Sequence, residues 1–135
     1  MYTNILLPVL FDKDHDTEVS FQIAQALAGK DAKFTVAHVM ENIPSYAAAE
    51  IPEQVFTNRR AEAKEALSAL AQKLPGASAT LISGHAGRTI VQYANDHDID
   101  CIILASHKPG LENFFLGSTA DRVVRHAKCA VHVIR

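Results

Sequence analysis

The chain has 135 residues, with 13 Lys+Arg against 15 Asp+Glu for a formal net charge of −2, and 48% of its residues are apolar. That is enough apolar material for one core without disulfides or a structural metal, so intrinsic disorder is excluded. The near-neutral balance supplies no broad basic field, which argues against duplex nucleic acid or an anionic membrane as partner. No basic stretch precedes the apolar run that begins at Ile5, and no apolar run approaches about 18 residues, so neither a signal peptide nor a membrane span is expected. The chain reads as a cytoplasmic protein with a single domain over residues 1–135. Cys101 and Cys129 lie in apolar runs without CxxC spacing and read as buried, reduced thiols.

Short apolar runs alternate with longer stretches of helical period. Strands are expected at Asn4 to Leu10, Lys33 to Met40, Ser78 to Gly84, Cys101 to Ser106 and Ala130 to Ile134, each rich in β-branched residues. The first helix, near Thr17 to Ala28, sets Val19, Ile23, Ala24 and Leu27 on one face, and Gly29 is read as its stop. The second, Glu53 to Leu74, is rich in Ala, Glu, Lys and Leu and stops before Pro75-Gly76. The third, Ala86 to His97, presents Ile90, Val91 and Ala94 and is ended by Asp98, and a fourth spans Ala120 to Ala127.

Strand and helix alternating in this way imply an α/β fold with a five-stranded, doubly wound parallel sheet. Ligands of such sheets bind in the crevice at the carboxyl ends of the strands. The loop Ala105-Ser106-His107-Lys108 through Gly117-Ser118-Thr119 leads into the last helix. Backbone N–H groups and two hydroxyls there would stand at the positive end of a helix dipole, with Lys108 adding a full charge, which is a way to hold phosphate. In the plainer reading Ser118 caps the helix, with Asp121 in the capping-box position. His107 is most simply a loop-orienting partner, and no metal pair is found among the seven histidines. Arg122 and Arg125 read as the solvated face of the last helix.

These residues carry a resemblance. The stretch ASHKPGLENFFLGSTADRVVRHAKCAVHVIR, with NILLPV at the start, VAHV in the second strand and SGHAGRTIVQYA in the third crossover, is similar over the whole chain to the universal stress protein family. The resemblance implies the flavodoxin-like (adenine nucleotide alpha hydrolase-like) three-layer sandwich with strand order 3-2-1-4-5. It further implies a homodimer through the last strand, Ala130 to Ile134, and, in one large branch, a crevice that binds ATP or AMP, with or without Mg²⁺.

Carried over by position, Pro8, Val9 and Leu10 stand at the end of strand one, Val39 near adenine, and Ala105, Ser106, His107, Lys108, Gly117, Ser118 and Thr119 around the phosphates. Ala105 and Lys108 replace glycines of the nucleotide-binding pattern, and the loop is one residue short, as in the F/G-type bacterial branch. Leu10 replaces the Asp that generally holds the ribose hydroxyls, and leucine accepts no hydrogen bond. Asp12, Asp14 or Asp16 could supply a carboxylate instead.

The function implied is that of a sensor or adaptor in the stress response, and catalysis beyond weak ATP turnover or autophosphorylation is not required. The rival from another class is a dimeric scaffold whose crevice has lost its affinity for nucleotide. Enzymes of related architecture are set aside because HxGH, SGGxD, GxxxxGK[ST] and GxGxxG after strand one are all missing, and the acidic residues of a response regulator are absent.

Overall fold

A computed structural model describes residues 1–11, 17–105 and 116–135. The elements follow in the order β1 (Tyr2–Pro8), α1 (Thr17–Leu27), β2 (Ala28–Met40), α2 (Ser45–Ala48), α3 (Glu53–Ala71), β3 (Ala77–Ser83), α4 (Ala86–Asp96), β4 (Cys101–Ala105), α5 (Ser118–His126) and β5 (Ala130–Ile134). All strand pairs are parallel and the sheet order is β3-β2-β1-β4-β5, as expected.

Alternation along the central strands divides the core between the two faces. Ile5 and Leu7 of β1 and Val9 just beyond it join Phe21 and Ala24 of α1 and Leu67 and Ala71 of α3 on one face. Leu6, Ala37 and Ile102 join Ile90 and Ala94 of α4 and Ala120 and Val123 of α5 on the other. Both faces of β1 and β4 are therefore covered, which is why these strands read as continuous apolar runs.

Several boundaries differ from the sequence reading for identifiable reasons. β1 begins two residues early and ends at Pro8, with the Val9 N–H making one further bond to β2 and Leu10 lying past the ladder. Gly29 does not stop a helix. It lies within β2, where a Cβ would meet Met1 N at 2.5 Å, so glycine permits a close approach of two backbones. The register between β1 and β2 shifts between Tyr2 and Asn4, and Asp31 absorbs the irregularity at φ 59°. On α1, Ala24 is buried and Ile23 and Leu27 pack against the core as expected, joined by Ser20 and Phe21, while Val19 is 37% exposed; Phe21 takes its place because a phenylalanine ring removes more apolar area from water than valine does.

The short α2 carried no periodic signal. Asp98 does end α4. It sits at φ 55°, with Ile99 N–H donating to the Ala94 carbonyl at 3.0 Å across a left-handed turn.

The amino end of the sheet is closed by one carboxylate. Asp100 accepts hydrogen bonds from the Thr3 N–H at 2.9 Å, the Thr3 hydroxyl at 3.1 Å and the Asn4 N–H at 3.0 Å. Asn4 Nδ2 in turn donates to the His97 and Asp98 carbonyls. Burial raises the Asp100 carboxyl, but these donors outweigh it and hold it below its ordinary value.

Candidate functional site

At the opposite, carboxyl end of the strands a crevice of about 90 Å³ opens on the α4/α5 face. It brings together six residues singled out in the sequence: Pro8, Val9 and Leu10 from the end of β1, Val39 from β2, Ala105 from the end of β4 and Thr119 from the first turn of α5. Ala86 and Ile90 of α4 and Leu104 of β4 also line it and were missed. The helical period of α4 had assigned Ile90 to the core, and only the crossing of α4 over the sheet shows that the same face borders the crevice.

The lining is apolar apart from Thr119. Leu10 stands at the rim, 53% exposed, while Val9 is buried. Ser106, His107 and Lys108 lie outside the described residues, as do Asp12, Asp14 and Asp16.

Gly117 and Ser118 immediately precede Thr119. The capping reading of Ser118 needs correction: the N-cap is Gly117, Ser118 is the first helical residue, and no described side chain caps the helix. Asp121 N–H bonds the Gly117 carbonyl at 2.8 Å, and its carboxylate turns outward to Arg125 Nε at 3.0 Å instead of back to the cap. The exposed Ser118 hydroxyl and the first N–H groups of α5 are thus not consumed by a cap.

The same is true of α4. Its N-cap, His85, makes no side-chain cap bond, and Ala86 lies in the crevice wall. Two helix N-termini, each with partial positive charge, therefore flank one apolar crevice. Their separation is fixed where α4 crosses α5. A Cβ on Gly87 would meet Arg122 Cδ at 2.9 Å and Cβ at 3.0 Å, so the Arg122 stem lies over the glycine. Arg122 is accordingly half-buried rather than on the solvated face; Arg125 is exposed.

Among the described residues no group of three or more His, Cys, Asp or Glu could hold a metal ion. Both cysteines are free; Cys101 is buried, but Cys129 is only half-buried. Burial, then the nearby Cys129 and Asp100, pushes the Cys101 thiol up to about 11. No described helix is long and apolar enough to cross a membrane.

Comparison with known proteins agrees with this fold. A universal stress protein from Staphylococcus aureus (strain USA300) is 30% identical over 143 aligned residues, covering 99% of this chain and 84% of that protein. The structure of universal stress protein UspA from Lactobacillus plantarum superposes with a TM-score of 0.79 at 29% identity, covering 99% of this chain and 98% of that one.

The fold is also shared with an Arabidopsis thaliana universal stress protein solved with AMP bound (TM-score 0.63, 18% identity, 98% of this chain and 90% of that one). Two further proteins of the same fold were solved in complex with cAMP (TM-score 0.62, 20% identity) and, from Archaeoglobus fulgidus, with dAMP (TM-score 0.65, 16% identity). The model of the universal stress protein family matches residues 1–135, and the chain belongs to that family.

Proposed function

We propose that the chain is a single-domain, cytoplasmic stress-response sensor or adaptor whose crevice binds an adenine nucleotide, ATP or AMP. The observation that carries this reading is the apolar slot between the ends of β1 and β4, flanked by the uncapped N-termini of α4 and α5. A flat purine suits the apolar part and phosphate suits the helix ends.

In this arrangement Val39 and the end of β2 meet adenine, and Pro8, Val9 and Leu10 approach the ribose. Ala105 backs the phosphate loop, and Ser106, His107, Lys108, Gly117, Ser118 and Thr119 hold the phosphates, with Mg²⁺ where a triphosphate is bound. Related proteins with AMP, cAMP and dAMP support the ligand class. Two copies would pair through β5, Ala130 to Ile134, which lies at one edge of the sheet and offers its outer backbone groups to a second copy.

The test is native mass spectrometry of the freshly purified protein, followed by calorimetric titration with ATP and AMP, with and without Mg²⁺. Micromolar binding that weakens in Lys108→Ala and Ser118→Ala supports the reading. One observation favours a second reading, a dimeric scaffold without nucleotide: Leu10 offers the ribose no acceptor, and Thr119 is the sole polar side chain among the described lining residues. Absence of binding up to millimolar nucleotide would establish it. A monomer by light scattering at micromolar concentration would remove the dimer from both.

A further inference from the structure

His38 faces away from the crevice, toward α3, where it borders a separate open pocket together with Phe11, Met40 and Arg59. Its neighbour Val39 packs with the α4/α5 core. His38 nevertheless touches the chain that forms the crevice. Its Nδ1 lies 2.8 Å from the Val9 carbonyl oxygen, and its ring lies against Phe11 with centroids 4.3 Å apart. A carbonyl only accepts, so Nδ1 carries the proton and donates.

The backbone shows what this bond replaces. Pro8 is the last β1 residue in register with β2, opposite Ala37, and the Val9 N–H continues the ladder by donating to the Ala37 carbonyl at 2.7 Å. Residues two apart on a strand turn their peptide groups toward the same neighbour, so the next rung would run from the Val39 N–H to the Val9 carbonyl. That rung is not formed; the carbonyl accepts from His38 instead. The ladder ends one bond early, β1 leaves the sheet at Val9, and Leu10 comes to the crevice rim.

We infer that His38 is the positioning residue of the crevice: by taking the Val9 carbonyl out of the ladder it sets the course of Val9–Leu10–Phe11 and leaves the Val39 N–H available to a ligand. This rests on the nucleotide reading for the identity of the ligand, but not for the backbone effect. The bond is a side-chain rung substituted for a main-chain one, so its removal should extend the sheet rather than loosen it.

Three substitutions separate the possibilities. In His38→Asn the amide nitrogen can stand where Nδ1 stands, in His38→Gln it stands farther out, and His38→Leu has no donor. Amide hydrogen exchange of the ligand-free proteins is expected to show slower exchange of the Val39 amide in His38→Leu and His38→Gln, and unchanged exchange in His38→Asn. AMP should bind about fivefold more weakly to the Leu and Gln variants, the loss of one ordinary hydrogen bond, and within about twofold of the original in His38→Asn. Faster or unchanged Val39 exchange in His38→Leu overturns the inference, as does equal AMP affinity in all four proteins. Should the unsubstituted protein bind no adenine nucleotide, the nucleotide reading fails and the exchange result alone decides the role of His38. If His38→Leu does not fold, the Asn and Gln pair gives the same comparison.

Discussion

The two ends of the sheet are finished in opposite ways. At the amino end, Asp100 takes donors from Thr3 and Asn4, and Asn4 takes the last carbonyls around α4, so polar groups are matched within the chain. At the carboxyl end, α4 and α5 begin without side-chain caps, Leu10 stands at the rim, and β1 leaves its ladder early. The difference shows how one parallel sheet divides its work. Unmatched donors at the amino end would only cost stability, whereas at the carboxyl end they are what a ligand can use.

The sharpest way to break this comparison is Asp100→Ala. It leaves the Thr3 and Asn4 donors without their carboxylate and should lower unfolding stability by about 1–2 kcal/mol in urea melts, while AMP affinity stays unchanged. A large affinity loss in that variant would mean that the two ends are not separable.

The converse variant is Leu10→Asp at the crevice rim, which restores an acceptor where a ribose hydroxyl would lie. Calorimetry should show AMP binding about fivefold more tightly, with a shift in stability of less than about 0.5 kcal/mol.

A third effect is a pH dependence confined to the amino end. The folded Asp100 carboxyl is held below its unfolded value, so its contribution is fully present above the unfolded value and is lost as pH falls through the folded one. Asp100→Asn should therefore be less stable than the original at neutral pH and lose less stability on acidification, the two proteins converging as pH falls below about 4.

The smallest effect concerns the thiols. With Cys101 buried and pushed up to about 11, and Cys129 half-buried and raised by burial but less enclosed, iodoacetamide at pH 8 should label Cys129 first in the folded protein. Peptide mass mapping over time reads the order, and early labelling of Cys101 would show that the β4–β5 end of the sheet opens.

Much of this was legible in the chain itself. The continuous runs NILLPVL and CIILAS marked β1 and β4 because strands covered on both faces need no polar residues, and six of the crevice residues were implied by the resemblance to the universal stress protein family. Ala86, Ile90 and Leu104 were missed because an apolar residue facing a crevice looks the same in sequence as one facing the core. Ser118 was read as a cap because Ser and Asp three apart fit that pattern; the N-cap falls one residue earlier, at Gly117, and the helix begins at Ser118, two residues before the expected Ala120. Gly29 was read as a helix stop because its use, a close approach to Met1, depends on a partner 28 positions away.

Sequence alone determined the order of the strands and longer helices, most of the faces that had to be buried, the family and the end of the sheet at which such a fold opens a crevice, because hydrophobic period and motif spacing are local properties of a chain. Tertiary structure alone decided that Arg122 covers Gly87, that Asp100 closes one end of the sheet and that His38 takes the Val9 carbonyl from the ladder. Each of those depends on where two distant backbones come to lie, and no pattern within a single segment encodes that distance.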